Sequence, residues 1–323
     1  MSAEMFLRDL EMKPEALRSL ASSLDAEDPW RAFVPADVRR IVFLGMGSSR
    51  FASNVAAARL RARGLDAVSD YASAEQTHPG GPGTVAVAVS ASGGTEETLA
   101  AAARHRDAGS VVVALTNASS SPLSSVATGT APLHAGTEDG GVACRTFQHT
   151  VAMLLALEGS VTGAGPREVV EAILAAADAT EELLASRERW LPPVLELLTA
   201  TGQTFVAAPH ERLSSADQGA LMLREGPRLV ADACETGDWL HVDVYLTKPL
   251  DYRLLLFTGS RFDQALMGWV RERGSTVVAV GGAIEGASAS VRYTGEDRAD
   301  VAMLTEVLVP ELVAAEVWKG QGR

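Results

Sequence analysis

Short, nearly continuous apolar runs alternate along this chain with longer segments in which apolar residues recur at helical spacing. The runs RIVFLGM (40–46), TVAVAVSA (84–91) and SVVVALTN (110–117) predict strands, and the segments between them, such as FASNVAAARLRARG, predict helices. Weaker strand patterns occur at 67–72 and 131–136. Strongly apolar strands alternating with helices indicate a parallel sheet that is covered by helices on both faces.

The same alternation begins again near residue 200. We predict strands at 203–209, 230–234, 253–259, 276–282 and 291–294, and a closing helix at 300–318 that Pro310 interrupts or kinks. The fold class is therefore α/β, with two halves of similar architecture in tandem. We expect N-terminal helices at 1–38, a first subdomain at 39–165, linking helices at 166–200 and a second subdomain at 201–323.

Composition limits the partners of this protein. A chain of 323 residues with 47% hydrophobic residues is long enough for about two domains, each with its own core. The net charge of −13 argues against nucleic acid or an anionic membrane as the main partner. Because we find neither a signal-peptide pattern nor an apolar stretch of about 18 residues, we expect a soluble, cytoplasmic protein.

Cysteine and histidine usage gives no sign of a metal centre. Cys144 and Cys234 are too few for a disulfide framework or a thiolate metal site, and we expect both to be reduced. The histidines are scattered without the spacing of metal ligands. His105, between two arginines on a predicted helix, is expected to be solvated. The sequence thus predicts neither a metal nor an organic cofactor.

Hydroxyl-rich loops follow two strands of the predicted first sheet. Gly47, Ser48 and Ser49 come after the first strand, and the segment SASGGT at 90–95 comes after the third. Each loop joins the carboxyl end of a strand to the amino end of a helix, which is the ligand-binding edge of an open α/β sheet. Glycine amides, hydroxyls and helix dipoles together bind a phosphate without any basic side chain.

A simpler interpretation of these loops is helix capping by Ser92 or Thr95. One cap would explain one hydroxyl, but two loops carry five of them: Ser48, Ser49, Ser90, Ser92 and Thr95. The loops match neither a P-loop, since GxxxxGK[ST] is missing, nor a dinucleotide fingerprint, since GMGSSR has no third glycine. We therefore predict an anion site, with a sugar phosphate as the expected ligand.

Four stretches together resemble the SIS (sugar isomerase) family, in particular the double-SIS isomerase half of glucosamine-6-phosphate synthase and its stand-alone relatives. SASGGTEET resembles the SQSGET-type phosphate loop of the family, and GMGSS resembles its CGTS-type loop. AGTEDGGVACRTF resembles its GTE…VASTK…F segment. DQGALMLRE followed by ETGDWLH resembles EGALKLKE followed by GELKHGP. The resemblance covers nearly the whole chain and implies two tandem flavodoxin-like SIS subdomains.

The resemblance also implies roles for individual residues. Glu225 matches the glutamate that moves a proton between sugar carbons 1 and 2, and His241 matches a histidine that assists ring opening. The residues alone favour simpler interpretations, in which Glu225 is a solvated helix residue that pairs with Arg224 or Arg228 and His241 is a structural surface histidine. The implied phosphate-binding and sugar-contacting residues are Ser48, Ser49, Ser90, Ser92, Gly93, Gly94 and Thr95.

Three further residues are candidates for supporting contacts. Glu75 matches a family glutamate after the second strand, and Arg145 lies where the family often has lysine. His210 follows the first strand of the second half, at an edge that faces ligand, and is a candidate substrate contact.

The chain also departs from the family pattern. Gln218 and Met222 replace a glutamate and a lysine, and HGP has become His241-Val242-Asp243. Proton transfer by Glu225 tolerates these changes better than Schiff-base chemistry does. The resemblance therefore implies a phosphosugar aldose–ketose isomerase that works through an enediol as a homodimer or higher oligomer. Deamination or deglycation of an amino-sugar or fructosamine phosphate is one alternative, and a non-catalytic sugar-phosphate sensor is another.

Overall fold

The computed structural model of the protein describes residues 2–35 and 38–322. Its contacts divide the chain into two compact units. The first-sheet unit consists of Glu15–Thr137 and Arg145–Leu174. The second-sheet unit consists of Met1–Pro14, Glu138–Cys144 and Ala175–Arg323. The second-sheet unit is therefore assembled from segments that are far apart in the sequence, whereas only a short stretch interrupts the first-sheet unit.

Strands and helices alternate through both units. The strands are β1 (Arg40–Gly45), β2 (Asp66–Tyr71), β3 (Thr84–Val89), β4 (Val111–Thr116), β5 (Gly129–Pro132), β6 (Gln203–Ala208), β7 (Val230–Glu235), β8 (Arg253–Phe257), β9 (Thr276–Val280) and β10 (Ala289–Val291). The helices are α1 (Ala3–Glu11), α2 (Lys13–Ala26), α3 (Ser48–Ala62), α4 (Glu96–Asp107), α5 (Pro122–Val126), α6 (Arg145–Thr162), α7 (Arg167–Thr199), α8 (Leu213–Glu225), α9 (Thr236–Trp239), α10 (Asp263–Arg273), α11 (Ala299–Thr305) and α12 (Leu308–Gly320).

The first-sheet unit contains a parallel sheet in the order β2-β1-β3-β4-β5. Its central strands are apolar along their whole length because helices cover both faces, and β3 is buried at every position. Trp30 is completely buried in the same unit, and its indole nitrogen donates a hydrogen bond of 2.9 Å to the carbonyl of Met153.

The second-sheet unit repeats this architecture. Its five strands are also parallel and lie in the order β10-β9-β8-β6-β7. Strand for strand this is the same topology, with β6 in the place of β1, β8 in the place of β3 and β9 in the place of β4. The predicted α/β fold with two tandem parallel sheets is confirmed.

Helix α1 packs against α12 within the second-sheet unit. The Lys13 ammonium forms an ion pair with the Glu311 carboxylate, and both side chains are completely buried. The Asp9 carboxylate accepts a 2.7 Å hydrogen bond from the Gly140 amide. The rings of Phe6 and Trp318 lie 6.2 Å apart. Burial raises the pKa of Glu311 to about 7, and the nearby Lys13 opposes that rise.

Some predicted boundaries were wrong. The closing helix is two helices, α11 and α12, and the break falls before Pro310, which occupies the first turn of α12 where proline is tolerated. The strand predicted at 131–136 begins and ends earlier, as β5, and the short helix α5 was missed. The stretch predicted at 166–200 as linking helices is the single helix α7, which includes Pro192 and Pro193.

Candidate functional site

The loop between β3 and α4 places hydroxyls and amides around one small space. The hydroxyls of Ser90 and Thr95 lie 3.0 Å apart. The Gly93 amide donates to Ser90 Oγ over 3.2 Å, and the Gly94 amide donates to Ser92 Oγ over 3.3 Å. Both bonds are at the long end of the normal range. An anion that accepted from these groups would replace weak bonds with stronger, charge-assisted ones.

Capping does not account for the hydroxyls of this loop. Thr95 is the N-cap residue of α4, yet its side chain accepts no hydrogen bond from the first turn of the helix. Its hydroxyl faces Ser90 instead. Because the amide groups at a helix start attract anions, the uncapped end of α4 favours a ligand at this position.

Gly93 is required by the shape of the loop. Its φ is +63°, and a Cβ atom there would overlap the Ser121 side chain. Thr116, at the end of β4, supports the same loop by donating from its hydroxyl to the carbonyl of Ala91 over 3.2 Å. Sequence reasoning missed Thr116 and Ser121, although Thr116 follows from the rule that adjacent strand ends meet at one edge.

The second hydroxyl loop lies beside the first, because β1 and β3 are neighbours in the sheet. Ser48 and Ser49 form the first turn of α3. Both are partly exposed. The Ser49 backbone is hydrogen-bonded, since its amide donates to the Met46 carbonyl and its carbonyl accepts from Ser53 Oγ. The sheet therefore brings together the seven residues predicted to hold the phosphate and contact the sugar.

Arg50 is a further residue at this edge that the sequence reasoning did not select. It follows Ser49 directly, and its guanidinium lies 3.9 Å from the centroid of the Tyr71 ring, at the end of β2. This stacking holds a cation near the hydroxyl loops. Glu75, which was predicted to support the site, lies in the exposed turn that follows β2.

The environment of Arg145 differs from that of a residue that binds an anion at the protein surface. It is the buried first residue of α6, and its guanidinium donates to the carbonyl of Thr137. Gly136 lies directly beside the same guanidinium. Arg145 therefore stabilises the turn at 136–137, and its predicted contact with ligand has no support from this geometry.

Glu225 is the last residue of α8, in the second-sheet unit. Its side chain is half-buried, and burial raises its pKa while the nearby Arg228 opposes the rise. A carboxylate with a raised pKa is a better proton acceptor than a solvated one, as a general base requires. The two departures on the same helix, Gln218 and Met222, are both completely buried, and Gln218 donates to the Ala143 carbonyl.

His241 lies in an exposed turn that follows α9. A chain of buried hydrogen bonds anchors the turn: Trp239 Nε1 donates to Tyr252 Oη over 2.9 Å, and Tyr252 Oη donates to Asp243 over 3.0 Å. Asp243, which replaces the proline of the family motif, therefore holds the segment that carries His241.

His210 and Glu225 lie at opposite edges of the second sheet. His210 begins a short 3₁₀ helix at the carboxyl end of β6, and it is exposed. Helix α8 then runs back across the sheet, so that Glu225 lies near the start of β7. The structure therefore does not bring these two candidates together.

The described parts of the chain lack the residue clusters of a metal site. In residues 2–35 and 38–322, no cluster of histidine, cysteine, aspartate and glutamate has the arrangement of a metal site. Cys144 and Cys234 are both free thiols. No helix in these ranges is both long and apolar enough to span a membrane.

Comparison with known families finds one domain match within this chain. Residues 36–158, which contain both hydroxyl loops, match the SIS domain model. The chain contains a SIS domain and is homologous to the isomerase half of glucosamine–fructose-6-phosphate aminotransferase.

Individual relatives agree with this assignment. The glutamine–fructose-6-phosphate aminotransferase (isomerizing) of Aeropyrum pernix is 29% identical over 256 residues, a match that covers 75% of this chain and 41% of the relative. The chain thus spans less than half of that protein.

Two solved structures share the fold. Tagatose-6-phosphate ketose/aldose isomerase from Escherichia coli has a TM-score of 0.80 at 14% identity, over 97% of this chain and 92% of the other. Glucosamine-6-phosphate deaminase from Thermotoga maritima has a TM-score of 0.77 at 15% identity, over 98% of this chain and 95% of the other.

Proposed function

We propose that this protein is an aldose–ketose isomerase that acts on a phosphosugar. The observation that carries the proposal is the loop at 90–95, where two facing hydroxyls and the amides of Gly93 and Gly94 surround an uncapped helix start. Such a group of donors suits a phosphate in a protein with a net charge of −13, because it needs no basic side chain.

In this proposal the hydroxyl loops hold the phosphate and Glu225 moves the proton. The Glu225 carboxylate removes a proton from the carbon next to the carbonyl while the carbonyl oxygen gains a proton, which gives an enediol. The protonated Glu225, whose proton exchanges with solvent, then gives a proton to the former carbonyl carbon while the other hydroxyl loses its proton and becomes the new carbonyl. One carboxylate can serve both steps if it reaches both carbons. The raised pKa of Glu225 suits this exchange. His241 is the proposed partner of the ring oxygen during ring opening, since histidine exchanges protons near neutral pH.

The departures from the family pattern are compatible with this mechanism. Gln218 and Met222 are buried residues of α8 itself. Their burial supports catalysis over a sensor that has lost its chemistry, because neither change removes the carboxylate at 225. The proposal includes a homodimer or higher oligomer, which sedimentation would test.

Proton exchange in D₂O tests the proposal directly. The protein is incubated with a panel of hexose, hexosamine and fructosamine 6-phosphates, and NMR follows deuterium entry at carbons 1 and 2. We expect entry with at least one sugar phosphate and none with its unphosphorylated counterpart. Ammonia or amine release in the same tube would instead assign a deaminase or deglycase. Binding without exchange would assign a sensor, and the absence of binding would reject a phosphosugar of this panel.

A further inference from the structure

The Ala91 carbonyl, inside the loop at 90–95, accepts two hydrogen bonds from the end of β4. The Asn117 amide donates one of them at 3.1 Å, and Thr116 Oγ1 donates the other at 3.2 Å. Because a carbonyl oxygen has two lone pairs, both of its accepting positions are used. The loop is therefore fastened to the neighbouring strand at Ala91.

The direction of the carbonyls in this loop matters for an anion. A carbonyl oxygen carries partial negative charge and repels a phosphate, whereas an amide hydrogen attracts it. The Gly93 carbonyl is also bonded outside the loop, to the Leu123 amide at 3.0 Å. The amides of Gly93 and Gly94 instead reach serine hydroxyls within the loop, at 3.2 and 3.3 Å. The loop thus keeps two amides for a ligand while two of its carbonyls are held by the rest of the unit.

Asn117 joins the end of β4 to the turn that follows β5. Its Nδ2 donates to the Gly136 carbonyl over 2.6 Å, and its Oδ1 accepts from the Ala135 amide over 2.9 Å. Asparagine suits this position because its short side chain ends in both a donor and an acceptor. Asn117 therefore binds the loop at 90–95 through its backbone and the turn through its side chain.

The turn after β5 (133–137) has a strained backbone. His134 has a φ of +54°, a left-handed conformation that is unfavourable for a residue with a Cβ atom. Its side chain is exposed, so side-chain packing does not enforce this conformation. Hydrogen bonds on both sides do: the Leu133 amide donates to the Thr116 carbonyl over 2.9 Å, and Asn117 binds the two residues that follow His134. Strained residues persist only where their surroundings enforce them, and they cluster at functional sites.

We propose that Asn117 is a positioning residue for anion binding. It holds the strained turn at 133–137 and the loop at 90–95 in one arrangement, in which the loop offers amides and not carbonyls to a phosphate. Asn117 does not touch the phosphate and acts through the Ala91 carbonyl. The inference rests on the proposed function, because it takes the loop at 90–95 as the phosphate site.

Calorimetric titration of the full chain with inorganic phosphate tests this role, and thermal denaturation of the same samples separates binding from stability. The test variant is Asn117→Ala. Asn54→Ala is the matched control, since Asn54 is partly buried on α3 of the same unit and its side chain has no hydrogen bond within the described residues. His134→Gly removes the strain and completes a double-mutant cycle with Asn117→Ala. Ser92→Ala, which removes a hydroxyl of the loop, shows whether the titration reports on this loop.

For Asn117→Ala we expect phosphate affinity that is at least about tenfold weaker, and for Asn54→Ala no change. His134→Gly alone should raise the melting temperature and leave the affinity unchanged, because glycine adopts the left-handed conformation without strain. Asn117→Ala/His134→Gly should recover most of the lost affinity, since an unstrained turn needs less restraint. A residue that served only the fold would lower the melting temperature and leave the affinity unchanged.

A second pair of variants tests the same carbonyl if Asn117→Ala does not fold. Thr116→Val removes the other donor to Ala91 at nearly constant volume, and Thr116→Ser keeps that donor. We expect weaker phosphate binding in Thr116→Val and near wild-type binding in Thr116→Ser. Equal affinity in these two variants would show that the bonds to the Ala91 carbonyl do not control the loop, which would overturn the proposal.

Unchanged phosphate affinity in Asn117→Ala would overturn the role of Asn117, and so would an equal loss in Asn54→Ala. A double variant as weak as Asn117→Ala would overturn the link to the strained turn. No binding to the wild-type protein below about 50 mM phosphate, or full binding in Ser92→Ala, would reject the loop as the phosphate site and this inference with it. Phosphate binding in the expected pattern without proton exchange on any sugar phosphate would reject the proposed isomerase alone.

Discussion

The hydroxyls of Ser90 and Thr95 face each other at 3.0 Å across the start of the loop between β3 and α4. Neither is used to cap the helix that follows. The pair is therefore available to a ligand at the start of α4. The other hydroxyl loop of this unit follows β1, which is the neighbour of β3 in the sheet.

Removal of hydroxyls from this loop should weaken phosphate binding. For Ser90→Ala and for Ser92→Ala we expect about ten- to a hundredfold weaker binding, since each loses a hydrogen bond to a charged group worth about 1.5–3 kcal/mol. Calorimetry with the sugar phosphate that gives exchange measures this. Ser22→Ala, which removes an exposed hydroxyl on α2, is the control. Unchanged affinity in both loop variants would exclude the loop as the anion site.

The Glu225→Gln variant should lose proton exchange and keep binding. We expect at least about a hundredfold slower deuterium entry, the usual contribution of a general base. The dissociation constant of the sugar phosphate should change little, because the hydroxyl loops remain intact. NMR exchange and calorimetry on the same sample separate the two effects. Full exchange in this variant would show that another group is the base.

The pH dependence of exchange should report the environment of Glu225. Burial raises its pKa, so the base is protonated, and exchange is lost, at a higher pH than for a solvated glutamate. Arg228 opposes that rise. Arg228→Gln should therefore move the acid limb of the pH–rate profile to higher pH.

Arg224→Gln is the matched control, since Arg224 lies on the same helix and bonds to the Ala220 carbonyl. Its acid limb should stay in place. An acid limb that moved to lower pH in Arg228→Gln would contradict the assignment of Glu225 as the titrating base.

Gly93 and Gly94 offer a test of backbone conformation within one loop. Gly93→Ala should destabilise the protein by about 1–3 kcal/mol or more, because φ is +63° and the new methyl group overlaps Ser121. Gly94→Ala should have little effect on stability, because its Cβ would meet only Ser92 Oγ, at 3.8 Å. Thermal denaturation compares the two variants, and equal melting temperatures would contradict the described loop.

Breaking the ion pair between Lys13 and Glu311 should destabilise the protein, whereas replacing both residues with apolar ones should change its stability little. Lys13→Met leaves a buried carboxylate unpaired and should cost about 3–5 kcal/mol of unfolding free energy. Lys13→Met/Glu311→Leu should recover most of that loss. Urea denaturation of the two variants measures both values. A double variant no more stable than the single one would show that other contacts dominate.

The sequence predicted those strands and loops whose structure depends on residues that are close together in the chain. The apolar runs at β1, β3 and β4 predicted buried parallel strands, because burial on both faces leaves a signature in the sequence itself. The hydroxyl loops were found for the same reason, since strand end and helix start are adjacent in the chain.

Features that depend on distant residues were not predictable in the same way. His105 was expected to be solvated but is buried, with Nδ1 3.4 Å from Ser110 Oγ, and burial lowers its pKa. The break between α11 and α12 falls at Glu306, whose carboxylate is paired with Arg212, 94 residues away. The stacking of Arg50 on Tyr71 requires the pairing of β1 with β2.

The docking of α1 on α12 also constrains the order in which the chain folds during synthesis. Lys13 and Glu311 are 298 residues apart, so α1 is made long before the helix that covers it. The first-sheet unit, which does not include α1, is complete once Leu174 has been made and can fold while the ribosome continues. Until α12 is made, the Phe6 ring lacks its contact with Trp318. Helix α1 therefore presents an apolar side chain that a chaperone can bind on the nascent chain.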